Sequence, residues 1–240
     1  MPTLRLLCTT DLHGALTADL TRRLRELRDR EGALLLDCGD ALTAPNVLVW
    51  PWPEAVLRHM NEAGYVAMGA GNREFFFRRA GMARQLRPAA FPVLAANLAA
   101  RDGSPALPPE VVLEPNGGRV GVVGLMREMM RPGGGLEVFS NLRFLPWREA
   151  ARAAVERLRP RVDWLLALSH LGREADEELA ALCPELDLLV SGHEHPPATS
   201  SERSGEVTVV RPVPYLREVA AIRSLREERP SEFAVEGIKL

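Results

Sequence analysis

The chain has 240 residues, a formal net charge of −2 at pH 7, 46% hydrophobic residues and 26% charged residues. These values exclude whole-chain disorder and fibrous classes, and the near-neutral balance leaves no electrostatic footprint for nucleic acid or an anionic membrane surface. No apolar run approaches the ~18 residues that a membrane helix needs.

Leu4-Arg5-Leu6-Leu7-Cys8 reads as a buried strand, and Leu20, Leu24 and Leu27 then fall on one helical face. Ala33 to Leu36 is a second strand. Pro53 to Glu62 reads as a helix with Pro53 in its first turn, followed by short strands at Tyr65–Met68 and Phe91–Ala95. Val111–Leu113 and Val120–Leu125 flank Asn116-Gly117-Gly118, a hairpin signal. Ala151, Ala154, Val155 and Leu158 form a helical face that stops at Pro160. Strands at Trp164–Leu168 and Leu186–Val190 bracket a helix at Asp176–Leu182. After Pro196 only strands are expected, at Val207–Val210, Val219–Ile222 and Phe233–Ile238. The Gly/Pro-rich loops at Ala99–Pro109 and Arg131–Gly135 are too short to separate domains, so a single domain over residues 1–240 is expected. A β-α alternation ending in an all-strand tail predicts an α/β fold with mixed sheets. Met1-Pro2-Thr3 leads straight into the first strand, so no signal peptide is expected. The odd set Cys8, Cys38 and Cys183 is no disulfide framework and suits a reducing compartment. A cytoplasmic location is the expectation.

Metal-ligand residue types follow the predicted strands. Asp11 and His13 follow the first, Asp40 the second, Asn72 the strand at Tyr65, His170 the strand at Trp164, and His193 and His195 the strand at Leu186. Loops at strand carboxyl ends converge on one crevice in open α/β sheets. Each element alone is weak: Gly39-Asp40 is a turn, Asn72 a helix cap, His170 a core histidine. Jointly they point to a metal site, because four of the five histidines fall just past a strand and only His59 lies inside a predicted helix. The donors are oxygen and nitrogen without thiolate, since Cys38 reads as a small buried hydrophobe. Such a set suits manganese, iron or zinc in an open site. Seven donors are too many for one ion and suit two sharing a carboxylate. Two ions roughly 3.5–4 Å apart clamp a phosphoryl group and acidify the water between them.

Asp11-x-His13, Gly39-Asp40, Gly71-Asn72, Ser169-His170 and Gly192-His193-Glu194-His195 resemble, in order, the motifs of the calcineurin-like metallophosphoesterases. Leu34-Leu35-Leu36-Asp37-Cys38-Gly39-Asp40, Phe91-Pro92-Val93-Leu94-Ala95-Ala96-Asn97 and Val120-Gly121-Val122-Val123-Gly124-Leu125 resemble the 5′-nucleotidase branch. The resemblance runs from about Leu4 to the final strands. It implies a four-layer sandwich of two mixed β-sheets flanked by helices. It also implies two divalent ions, manganese first with zinc or iron as alternatives. Asp11, His13, Asp40 and His195 would hold one ion; Asp40, Asn72, His170 and His193 would hold the other, with Asp40 bridging. The implied reaction is hydrolysis of a small phosphate ester, a monoester or a diester.

The family pattern Gly-Asn-His-Glu, extended in this branch by Phe-Asp, here reads Gly71-Asn72-Arg73-Glu74-Phe75-Phe76. The family's leaving-group histidine is Arg73, and the aspartate that orients it is Phe76. Arginine cannot act as a general acid near neutral pH, but its fork of donors suits a phosphate. Arg73 is thus expected to bind substrate and, together with Asn72, to take part in catalysis. The alternative is a catalytically weak, metal-binding interaction module. The 5′-nucleotidases add a carboxy-terminal domain with the nucleoside pocket; this chain ends at Leu240, so a nucleotide substrate is not implied by resemblance alone. Trp50, Trp52, Phe75, Phe76 and Phe77 flank the metal motifs. At least one Phe is expected in the core, and some of the five are expected to line the crevice rim and bind a second subunit, another partner or an apolar leaving group.

Overall fold

A computed structural model describes residues 3–43, 53–115, 118–131, 133–225 and 232–240. Strand periodicity sorts its apolar side chains into layers. In β1 (Arg5–Thr9), Leu6 and Cys8 enter one core cluster and Leu7 another. In β2 (Leu34–Asp37), Leu36 and Leu35 divide the same way. In β9 (Trp164–His170), Trp164, Leu166 and Leu168 join the cluster of Leu6, while Leu165 and Ala167 enter a third.

The first sheet has the order β14-β13-β1-β2-β3-β4, with β3 at Tyr65–Gly69, β4 at Val93–Leu94, β13 at Val219–Ser224 and β14 at Phe233–Ile238. Strands β1 to β4 are parallel, and β13 and β14 add antiparallel pairs at the edge. The second sheet has the order β11-β12-β10-β9-β7-β6. There β12 (Val207–Arg211), β10 (Leu188–Ser191), β9 and β7 (Val120–Met126) are parallel. Antiparallel β11 (Ser200–Ser204) and β6 (Glu110–Leu113) close its edges. A small antiparallel pair, β5 (Leu98–Ala100) with β8 (Leu142–Phe144), stands apart.

Helices α1 (Ala18–Glu31), α2 (Ala55–Ala63) and α3 (Arg79–Leu86) cover the first sheet through Leu24, Leu27, Leu57, Met60 and Met82. Between β5 and β9 the chain adds a short α4 (Gly135–Ser140) and then α5 (Trp147–Leu158). Together with α6 (Arg173–Leu182), α5 covers the second sheet through Ala151, Ala154, Val155 and Leu179. The order is helix, sheet, sheet, helix, as the family resemblance implies. Each fully buried leucine contributes about 1.5–3 kcal/mol of transfer free energy, so the three apolar layers set the spacing at which the strand ends meet.

Several boundaries moved. Helix α2 begins at Ala55 behind a Glu54 cap, so Pro53 precedes the helix. β6 and β7 pair as the hairpin signal requires, although Asn116 and Gly117 lie outside the described residues. Among the described residues no helix is long and apolar enough to cross a membrane.

Candidate metal centre

The loop after β1 lies on the loop after β2: the Asp11 N–H donates to Gly39 O at 2.8 Å and the His13 N–H to Asp40 O at 3.0 Å. The loop after β3 comes equally close. A Cβ on Gly39 would stand 2.5 Å from Gly71 N, and one on Gly71 only 2.4 Å from Asp40 N, so only glycine permits the approach. Five of the seven predicted ligand positions have left-handed backbone: Asp11 (φ 49°), His13 (45°), Asp40 (56°), His193 (78°) and His195 (45°). Non-glycine residues there are strained, and such strain gathers at functional sites.

These turns bring five of the seven side chains together. Asp11 Oδ1 lies 3.0 Å from His195 Nε2, 3.6 Å from His13 Nε2 and 3.8 Å from His170 Nε2. Asp40 Oδ1 lies 3.5 Å from His170 Nε2. Two close-set groups result, Asp11–His13–His195 and Asp11–Asp40–His170. The carboxylate common to both is Asp11, whereas Asp40, the expected bridge, belongs to one. Asn72 and His193 stand beside these groups, with Asn72 Nδ2 3.5 Å from His193 Nδ1. The His193 N–H donates to Asp11 Oδ2 at 3.0 Å, and its ring centroid is 5.3 Å from that of His170.

Burial opposes ionisation of Asp11, but hydrogen bonds from His13 and Thr10, the His193 N–H and the charge of His170 hold its carboxyl well below the usual range. Burial likewise opposes ionisation of Asp40, which His170 and the Arg73 N–H overcome in the same direction. The two carboxylates act in turn on His170. Burial alone would lower its pKa, and Asp40 and Asp11 raise it to about 9. A cation bound here would therefore compete with a proton for the same ring nitrogen.

The donors fit a divalent cation. His170 Nδ1 donates to the Cys38 carbonyl at 2.8 Å, which leaves Nε2 facing Asp11 and Asp40, buried and without a hydrogen-bond partner. Asn72 Oδ1 is also buried and unpartnered. Buried polar atoms in native proteins rarely stay unpaired, and a histidine whose other nitrogen is fixed on a carbonyl is oriented for ligation. Cys38 is fully buried and donates to Val190 O at 3.3 Å, which is the packing role its sequence context suggests.

Arg73 occupies the edge of this cluster. Its side chain is 30% exposed, with Nε 3.8 Å from Asp40 Oδ2 and one terminal N–H donating to Thr43 O at 2.7 Å. Of the aromatics expected to flank the crevice, one lies in the core. Phe75 is buried in the core against Phe144. Phe76 and Phe77 are half-buried and stack on each other at 5.1 Å while packing on that core. Trp50 and Trp52 lie outside the described residues.

Four contributors escaped the sequence reading. Glu74 is buried and accepts the N–H groups of Asp40 and Gly71 at 2.8 Å each, Ala41 at 3.0 Å and Leu42 at 3.2 Å. It sits in the motif stretch, but nothing in its spacing shows that it points inward. Arg127, just past β7, donates to His193 Nε2 at 2.8 Å. Tyr215 packs on His13 and His195. Asp176 accepts the hydroxyls of Ser169 and Ser191, the serines beside His170 and Gly192.

Asp176 is fully buried, and burial lifts its pKa from 3.8 to about 6 against those two hydroxyls and Arg211. A raised pKa means that the folded state holds the proton more tightly than the unfolded chain. Its contribution to stability is therefore complete below about pH 4 and is lost as pH rises through about 6. A shift of about 2 units corresponds to roughly 3 kcal/mol. Denaturant unfolding of wild type and Asp176→Asn at pH 4 and pH 7 should show the stability difference moving by that amount in favour of the variant at pH 7. A pH-independent difference would exclude titration of Asp176 in this range.

The family model for calcineurin-like phosphoesterases matches residues 4–197. The chain belongs to that family. It is similar to a probable 5′-nucleotidase of Treponema pallidum, 33% identical over 190 residues that cover 74% of this chain and 31% of that protein. It is also similar to a 5′-nucleotidase of Diplobatis ommata, 32% identical over 209 residues that cover 81% of this chain and 35% of that protein. The chain thus spans about a third of the length of the curated relatives it matches. A 5′-nucleotidase precursor from Thermus thermophilus has the same fold, with a TM-score of 0.80 at 25% identity, covering 99% of this chain and 54% of that one.

Proposed function

We propose that this chain hydrolyses small phosphate esters with two divalent ions, manganese for preference. Asp11, His13, Asp40 and His195 would hold one ion, and Asn72, His170 and His193, with Asp40 shared, the other. Such ions supply Lewis-acid charge for the phosphoryl oxygens and acidify a water. The observation that carries this reading is the buried, unpartnered His170 Nε2 aimed at two carboxylates.

The chain's own residues set the rest. Asp11 and Asp40 stay ionised, and the Cys38 carbonyl keeps His170 turned toward them. Arg73, beside Asp40, can exchange its Thr43 contact for the non-bridging oxygens of a phosphate. It cannot protonate the leaving oxygen. Phe76, packed on Phe77, offers no acceptor to orient a histidine at position 73. Esters with good leaving groups are the favoured substrates, since these need little protonation.

Turnover of p-nitrophenyl phosphate and bis-p-nitrophenyl phosphate by Mn²⁺-loaded protein tests the proposal. Activity on neither would overturn it and favour the second reading, a metal-binding interaction module. That reading draws on Arg73 and Phe76 standing where the family has its His/Asp pair. Arg73→Ala is expected to lower kcat/KM by the equivalent of about 2–4 kcal/mol, the scale of one lost donor in such a site. An unchanged kcat/KM would remove Arg73 from the site.

A further inference from the structure

Tyr215 is a single exposed residue in a buried stretch: Pro212, Val213, Pro214 and Leu216 are all buried, while Tyr215 is 42% exposed. Tyr215 and Leu216 are consecutive non-glycine residues in left-handed conformation, at φ 61° and 53°. Such a turn persists only where its surroundings hold it. Here Leu216 is anchored in the core, and the Tyr215 N–H donates to Asp11 O at 3.0 Å. The turn delivers the phenol ring to the candidate metal centre. Its centroid lies 5.1 Å from that of His13 with the planes at 34°, and 5.4 Å from that of His195 at 77°. Arg217, itself exposed, stands over the ring at 5.8 Å, where a planar ligand could displace it.

We propose that Tyr215 is the leaving-group platform of this site, selecting phosphate esters that carry a planar aromatic group. The inference rests on the phosphoesterase reading and adds its substrate class. Two independent features converge on it. A rigidly held, half-exposed aromatic ring packed beside His13 and His195, two of the candidate ligands, is a stacking surface fixed before the ligand arrives. Arg73, in the leaving-group position of the motif, offers no proton. An aryl ester meets both conditions. Water bonds to phosphorus, the P–O(aryl) bond breaks, and the aryl oxide departs with the electron pair and takes its proton from solvent. The same ring could stack on a nucleobase, which the test separates.

Binding of phenylphosphonate, methylphosphonate and a nucleoside 5′-phosphonate to the Mn²⁺-loaded chain, measured by calorimetry, tests the platform without requiring turnover. Stacking of about 1–3 kcal/mol predicts that wild type prefers phenylphosphonate to methylphosphonate by about 5- to 150-fold. That ratio should fall to near one in Tyr215→Ala and survive in Tyr215→Phe. Tyr215→Asn, which tolerates the left-handed turn, should behave like Tyr215→Ala and guards against a folding defect. Stronger dependence of the nucleoside phosphonate than of phenylphosphonate on the ring would identify a nucleobase as the stacked group. A ratio unaltered by Tyr215→Asn, or equal affinities in wild type, would overturn the platform while leaving the phosphoesterase reading intact. Failure of all three phosphonates to bind wild type would overturn both.

Discussion

Asp40→Ala is expected to reduce bound Mn²⁺ from two ions per chain to none after reconstitution and gel filtration, with activity on phosphate esters lost alongside. Losing only a partner that orients a metal ligand costs about 10–100-fold in metal affinity; losing a shared carboxylate removes a ligand from both sites at once. The geometry sharpens this expectation. Asp11 rather than Asp40 is the carboxylate found in both close-set groups, and Asp11 Oδ1 faces three histidines. Metal analysis of Asp11→Ala beside Asp40→Ala therefore decides which carboxylate is shared. If Asp40→Ala keeps both ions and Asp11→Ala keeps neither, the bridge is Asp11. Wild type with stoichiometry near zero would end the dimetal reading altogether.

Glu74→Ala is expected to destabilise the fold by about 4–6 kcal/mol, because four buried backbone N–H groups lose their acceptor at roughly 1–3 kcal/mol each and water recovers some of the loss. Glu74→Gln keeps one oxygen for two of these donors but turns an NH₂ toward the other two, so about 3–5 kcal/mol is expected. Both values reach the exceptional end for single substitutions. The urea midpoint measures the loss, and a change below about 1 kcal/mol would show that the carboxylate does not hold the turn. Metal affinity should fall in parallel. The same carboxylate ties Asp40, Ala41 and Leu42 on the β2 loop to Gly71 on the β3 loop. Loss of stability without loss of metal affinity would separate the two roles.

The strands that carry the site were plain in the sequence because they are buried on both faces. Leu6 to Cys8, Leu34 to Leu36, Val120 to Leu125 and Trp164 to Leu168 are unbroken apolar runs, the mark of parallel strands between two layers. What stayed hidden lacks that pattern. β11 is Ser-Ser-Glu-Arg-Ser, an exposed edge strand paired with β12. β5 and β8 have three residues each, too few for a periodicity. α3, Arg-Ala-Gly-Met-Ala-Arg-Gln-Leu, shows two buried apolar side chains and a glycine. In the site, residues at or just past the end of a strand were legible by position, which is why Asp11, His13, Asp40 and His170 meet as expected. Glu74 and Asp176 act through inward side-chain direction, and Tyr215 reaches the centre from the far side of the chain, through a turn that propensity alone would not predict.

The left-handed backbone has a consequence for how such a chain can change. Of the eight non-glycine residues with positive φ among the described residues, only Asn141 lies away from the metal centre or its flanking turn. Each costs about 1–2 kcal/mol, so the fold carries a standing load at the positions that would do its chemistry. Glycine would relieve that load at Asp11, His13 or His195 and at the same time remove a candidate metal donor. Selection for thermal robustness alone would therefore act on this centre before it touched the sheets, and a descendant with glycine at these turns would exchange candidate donors for a relaxed backbone.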